Sequence, residues 1–263
     1  LFPFLLTISS RLVGDDSLEV NYPHLVFEKA ALSAGHFPFW NPYSEAGTPD
    51  FGSPFYDFFY PPHWLIFLFP IEMGINVSFL IHGALGWLGA FLFFRTFAGT
   101  LAAQTAAWLF ALCAPILQFP QGGYLGTFYS VIALPWCLWL VHLALTDPRP
   151  WHARLWAMTA GVVLAMCIYV VASYALIFDL FPSAVFIACH FAPRKRRAGA
   201  LVLFCFSAGL VSLVRLWPWY LLALETNRVG AAADLSFSSA GSVHPIYLFN
   251  YLFPNALPPL RAT

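Results

Sequence analysis

MGINVSFLIHGALGWLGAFLFF, residues Met73–Phe94, contains no Asp, Glu, Lys or Arg. A bilayer core about 30 Å thick takes about 20 apolar residues to cross as a helix, at about 1.5 Å each. This stretch is long enough. Further stretches of the same kind follow at Thr100–Leu117, Thr127–Leu145, Leu155–Ala172, Tyr174–Phe191 and Gly199–Leu224, the fourth and fifth separated only by a very tight turn at Ser173. The composition points the same way. Hydrophobic residues make up 60%, aromatics 19% and charged residues 9%, with a mean hydropathy of +0.73. So little polar surface cannot cover a soluble core of this size. The fold class expected is therefore all-α, a polytopic transmembrane helix bundle. The formal net charge of zero, with no basic arm or stripe, excludes a nucleic-acid partner.

The five cysteines all fall in apolar stretches without a CxxC pair and read as packing or lipid-facing residues. LFPFLLTIS at the start is too short to span. It reads as the last turns (residues 1–10) of a first transmembrane helix, so the chain reads as the N-terminal portion of a longer protein. Residues 11–72 form a long loop, 73–224 hold about six spans, and 225–263 begin a second loop.

Seven of the twelve acidic residues lie in the polar, aromatic and proline-rich stretch from Gly14 to Pro62. The short connections divide by charge. One set holds Arg95, Arg149, Arg154 and the run Arg194–Arg197, while the other is almost free of Lys and Arg, as in QGGYLG at Gln121–Gly126. Basic short loops stay in the cytoplasm, which puts the acidic loop and the segment after Leu224 on the extracytoplasmic side of the membrane.

Several loop residues carry chemistry. Asp15 and Asp16 stand directly after the first helix, and read either as a solvated helix end or as reactive carboxylates at headgroup depth. VFEKAAL, Val26–Leu32, has the spacing of a short interfacial helix, with Val26, Phe27, Ala30 and Leu32 on or near one face. Trp40, Tyr43, Tyr56 and Tyr60 suit a headgroup-level aromatic belt and suit stacking on sugar rings equally well. Asp57, in PFYDFFYPP, is the most apolar-flanked carboxylate of the loop. Desolvation should raise its pKa, and it reads as a second acid or as an acceptor for loop amides. There is no Asp-x-Asp, so a divalent metal has no motif, although carboxylates from separate segments would suffice for one. Within the spans, Arg215 reads as a snorkelling cation or a phosphate ligand. Asp179 precedes Pro182 and reads as a functional acid or as a partner for backbone freed at the kink. His82 and His142 read as packing or interhelical hydrogen-bond residues.

The order Asp16, Tyr22-Pro23, Gly35-x-x-Pro38-x-Trp40-Asn41-Pro42-Tyr43, Gly47-x-Pro49 and Tyr60-Pro61-Pro62 resembles the bacterial YfhO family of polytopic membrane proteins, which are GT-C glycosyltransferase-like. Leu216-Trp217-Pro218 followed by Thr226-x-Arg228 is similar to that family's helix-end pattern. The chain departs from it at Glu19-Val20, where the family often has Gln. The resemblance implies a GT-C-like bundle in the bacterial inner (cytoplasmic) membrane, with a long first extracytoplasmic loop carrying short interfacial helices. It also implies transfer of a sugar from a polyprenyl-phosphate donor to an extracytoplasmic glycan or polymer acceptor. Asp16 would then be the catalytic base, with Asp15 and Asp57 as weaker candidates. Arg228 and Arg215 would meet the donor phosphate, and Trp40, Asn41, Tyr43 and Tyr60 would contact the acceptor or sugar. No cofactor is implied beyond the lipid-linked donor and the bilayer. A transporter or a noncatalytic scaffold is the alternative. A transporter would favour two related halves with broken helices, and no internal repeat is evident.

The charge asymmetry makes a direct prediction. A cysteine placed at Ser33 should react with an impermeant thiol reagent applied from outside, and one at Ala198 should not. The reverse labelling would invert the orientation.

Overall fold

The computed structural model describes residues 16–44, 47–52 and 57–224. Asp15, Tyr56, Arg228, the opening apolar run and the segment after Leu224 lie outside the described residues. Apart from a single bridge between Asn41 and Thr48, the regular structure among the described residues is helical. A π-helical turn, Ser17–Asn21, leads into α1, Tyr22–Ser33, and a 3₁₀ stretch, Pro61–Leu68, closes the loop. The bundle follows as α2 (Ile71–Arg95), α3 (Thr100–Leu112), α4 (Ala114–Gly122), α5 (Leu125–Thr146), α6 (Pro150–Ala175), α7 (Phe181–Cys189) and α8 (Arg194–Leu224).

Among the described residues five segments are long and apolar enough to cross a membrane: Ile71–Arg95, Thr100–Pro120, Leu125–Thr146, Pro150–Val170 and Arg194–Leu224. The second is broken. Cys113 is extended, with ψ 149°, and α4 begins directly after it, with Pro115 in its first turn. A proline has no N–H for the helical ladder and its ring clashes with the preceding turn, so the helix stops and restarts. The stretch expected to span at Tyr174–Phe191 is a shorter helix, Leu176–Cys189. At about 1.5 Å per residue it covers about 21 Å, less than the ~30 Å core.

The tight reversal near Ser173 involves no loop. Helical backbone runs from Pro150 through a π-helical turn, Leu176–Leu180, to Cys189 without interruption. A straight helix of that length would carry residue 190 about 60 Å from residue 150. Yet the His190 ring lies 5.6 Å from the ring of His142, at the end of α5 that leads into Pro150. Ser130 of α5 also donates to Asp179 at 2.8 Å. The chain therefore doubles back between residues 170 and 176, and α7 returns alongside α5. Asp179 takes its hydrogen bond from a neighbouring helix and not from backbone freed by Pro182.

Two apolar cores share α5. One joins α5, α6, α7 and α8 through Leu140, Leu164, Ile187 and Phe204. There α6 and α8 approach so closely that a Cβ on Gly161 would strike Ser207 and the Phe204 carbonyl. The other joins α2 and α5 to the loop, with Leu25 and Ile66 buried against Ile75, Phe128 and Tyr129. The loop is thus part of the folded body.

The two ends of the bundle differ in charge. At one end Arg196 donates to the carbonyls of Ala144, at 3.1 Å, and Asp147. There Arg149 meets Asp147 at 3.2 Å and holds that carboxyl well below the usual carboxylate range. At the other end the loop is stitched down. Asn21 donates to the Gly123 carbonyl at 2.8 Å and Lys29 to the Phe69 carbonyl at 2.6 Å. Gly123, with φ 79°, makes the α4–α5 turn, and a Cβ there would collide with Ser17.

Candidate functional site

The loop helix α1 faces inward with its polar side. His24 and Glu28 are one helical turn apart and so lie on the same face. Glu28 is 2% exposed and packs inward with Leu25, while Val26, Ala30 and Leu32 are turned out. The expected apolar face exists, and it is the outer one. That orientation suits a helix lying against lipid while covering a polar interior.

The interior is a cluster of acids and imidazoles. Glu28 Oε2 lies 3.0 Å from His63 Nε2, both buried. His24 Nδ1 lies 3.4 Å from Asp50 Oδ2, and Thr48 donates to the other Asp50 oxygen at 3.5 Å. Asp57 is buried beside them. Together Asn21, His24, Glu28, Asp57 and His63 wall a cavity of about 10 Å³ closed by Leu25 and Leu125, about the volume that one water centre needs. His63 Nδ1 has no protein partner.

Arg215 completes the cluster from the bundle side. It is 4% exposed on α8, and its Nε donates to the Tyr169 carbonyl at 3.2 Å. It does not snorkel to an exposed position. Its charge lowers the pKa of Asp57 somewhat, against the larger rise from desolvation.

The electrostatics follow from burial. Desolvation pushes Asp57 from its ordinary 3.8 up to about 7, and the neighbouring Glu28 adds to the rise, while His63, Arg215 and His24 oppose it. This is the shift expected from its apolar flanks. Burial disfavours charge on His63, but the Glu28 carboxylate outweighs burial and raises its pKa. The Asp50 carboxylate raises that of His24 against a smaller effect of burial. All three shifts mean that the seated loop holds protons more tightly than the unfolded chain. Asp57 therefore weakens the seating progressively between about pH 4 and 7. The two imidazoles stabilise it fully below their ordinary 6.5 and lose that contribution as pH rises through their raised values.

A second polar group lies next to this one. The Tyr60 hydroxyl is 2.9 Å from His82 Nε2, and His82 Nδ1 is 2.7 Å from the Ser78 carbonyl. A carbonyl only accepts, so Nδ1 carries the proton and Nε2 accepts from Tyr60. The His82 and Tyr129 rings stack at 3.8 Å, and Tyr60 packs 5.1 Å from Tyr129. Tyr60 is therefore half-buried and tied into the bundle by its hydroxyl, with burial raising its pKa well above the usual phenol range. His82 serves as a hydrogen-bond residue, joining α2 to the loop.

The remaining predicted residues separate by location. Asp16 is half-buried at the start of the loop helix, with its backbone against the Gly123 turn. Trp40 and Tyr43 are strongly exposed. Asn41 is buried as a turn builder: its backbone bridges Thr48 in both directions and its side chain accepts from the Tyr43 N–H at 3.0 Å. Gly35 ends α1 at φ 76°, with the His36 N–H reaching back to the Ala31 carbonyl. At φ 108°, Gly47 lets the Trp40 ring lie over its backbone. Much of the motif that carries the family resemblance thus shapes one compact turn. Glu28, His63, His24 and Asp50 were not singled out by sequence reasoning, although the one-turn spacing of His24 and Glu28 was visible there.

Among the described residues no group of three or more His, Cys, Asp or Glu is arranged to hold a metal ion. No protein-family model matches the chain, and no curated protein or solved structure matches it either. The family resemblance therefore rests on the loop motif and the helix-end pattern in the sequence, and what stands without it is a multi-pass all-α membrane protein.

Breaking a buried pair costs about 3–5 kcal/mol, because one partner is left desolvated and unmatched, whereas apolar replacement of both is often nearly neutral. Glu28→Leu should therefore lower the thermal midpoint of the detergent-solubilised protein markedly. Glu28→Leu combined with His63→Leu should recover much of the loss. Equal losses in the single and double variants would show that the two side chains do not act as a pair.

Proposed function

We propose that the chain is a membrane glycosyltransferase of GT-C type. It would transfer a sugar from a polyprenyl-phosphate donor to a cell-envelope acceptor on the extracytoplasmic face of the bacterial inner membrane. The observation that supports this reading best is the gathering of the loop's acids and imidazoles at one end of the bundle. There they lie over the ends of membrane-crossing helices and opposite the buried Arg215. A lipid-linked donor presents its phosphate at headgroup depth, so the group that takes the acceptor's proton must stand at that depth too.

In this reading Asp16, the motif carboxylate and the more accessible one, takes the proton of the acceptor hydroxyl. The acceptor oxygen forms a bond to the anomeric carbon as the bond from that carbon to the phosphate oxygen breaks. The departing phosphate keeps the electron pair, and the guanidinium of Arg228 meets its new charge with paired hydrogen bonds. Arg215 is committed to the Tyr169 carbonyl and to the field of Asp57, so it serves as a fixed positive charge behind the site. Asp57, with a pKa pushed up to about 7, changes protonation near neutral pH and is a candidate acid or a reserve acceptor. Trp40 and Tyr43 offer exposed rings for a sugar.

The test is sugar transfer from a polyprenyl-phosphate donor by the full chain in membranes. Asp16→Asn keeps size and most hydrogen bonds but removes proton acceptance, and should reduce turnover by roughly 10²–10⁴. Asp15→Asn should be the milder change. Near-normal turnover in Asp16→Asn would remove Asp16 from the reaction and leave Asp57 as the candidate base.

A further inference from the structure

A groove of about 410 Å³ opens at the end of the bundle remote from the loop, between the end of α5 and the first turns of α6 and α8. The proposed reaction makes no use of it. Its walls are apolar, with Ala144, Ala157, Ala200 and Leu203, and its rim carries Arg154, Lys195 and Arg196. Arg196 is already engaged with the carbonyls of Ala144 and Asp147, which fixes the groove's floor. Asp147, the carboxylate at this end, is bonded to Arg149 and receives the Trp156 indole N–H at 3.2 Å. Arg154 and Lys195 are exposed and enter no ion pair among the described residues. The first turns of α6 and α8 also bring the positive ends of two helices to the same rim.

We propose that this groove binds one anionic phospholipid, with its phosphate between Arg154 and Lys195 and an acyl chain along the apolar walls. Uncompensated positive charge at the rim selects the anion. Basic pockets between membrane helices are suited to anionic headgroups, each cation contributing through its position near the lipid surface. The walls select a lipid over a soluble anion, because a free phosphate has nothing to place against Ala157, Ala200 and Leu203. The adjacent turns expose Leu155, Met158 and Val202, so the groove opens along a flank that faces hydrocarbon. The site is independent of the sugar-transfer reading, since it lies at the opposite end and shares no residue with it.

Native mass spectrometry of the full chain in detergent micelles tests this, with phosphatidylglycerol, phosphatidylcholine of the same chains, and glycerol phosphate as the headgroup without tails. The wild-type protein should retain one phosphatidylglycerol in preference to phosphatidylcholine. Arg154→Gln with Lys195→Gln should weaken that retention by about fivefold per cation, about thirtyfold for the pair, leaving little preference over phosphatidylcholine. Gly199→Leu fills the groove without altering charge. A Cβ at Gly199 meets nothing within 4 Å, so the fold should tolerate it and lipid retention should fall. An unchanged thermal midpoint without lipid confirms that each variant is folded. Wild-type retention in the charge variant would overturn the proposal, as would retention in Gly199→Leu. Competition by glycerol phosphate as strong as that by the intact lipid would overturn it in favour of a soluble anion.

Discussion

A charge removed from water must be matched, and that constraint organises the loop end of this protein. Glu28, Asp50 and Asp57 are all buried in a chain otherwise poor in polar groups. An isolated buried carboxylate would cost several kcal/mol or take up a proton. The chain answers with His63 against Glu28 and His24 against Asp50, while Asp57 takes the other course and holds its proton up to about pH 7. The partners come from different segments, so satisfying the charges fixes how α1 stands against the 3₁₀ stretch Pro61–Leu68 and against Asp50. Leu25 and Ile66 then complete the apolar core beneath. The loop is seated by its charges and held by its core.

The same constraint separates the two ends. Bases collect where α5 ends and where α6 and α8 begin, bonded to carbonyls and to Asp147. Acids and imidazoles collect where the loop covers the other end. Between them the helices carry few ionisable groups, and Asp179 is buried with a bond to Ser130. A bundle so polarised has one face able to take protons near neutral pH and another able to hold anions. The proposed reaction uses the first face and the proposed lipid site the second.

Much of this was legible in the sequence, because hydrophobic length and charge bias act locally. The runs that became α2, α5, α6 and α8 could be read directly, as could a short helix over Val26–Leu32 and the raised pKa of Asp57. What could not be read depends on contacts between distant segments. Glu28 and His63 stand 35 residues apart in the chain, and only folding brings them to 3.0 Å. The inward turn of the polar face of α1 has no local cause, since the same pattern fits lipid outside as well as core inside. Tyr60 looked like a surface ring because its neighbours are prolines and aromatics, and its partners His82 and Tyr129 lie on two other helices. The reversal expected at Ser173 is found between residues 170 and 176, although it runs within helical backbone and not through a separate turn.

The protonation of Asp57 reports whether the acid–imidazole cluster is desolvated. Infrared difference spectroscopy of the detergent-solubilised protein, with Asp57→Asn to identify the band, follows its carboxyl stretch as pH is raised. Desolvation within the acid–imidazole cluster predicts a protonated carboxyl that titrates near pH 7. Titration near the ordinary 3.8 would mean that Asp57 is solvated, that the loop is not seated as described, and that the cluster does not exist as a unit.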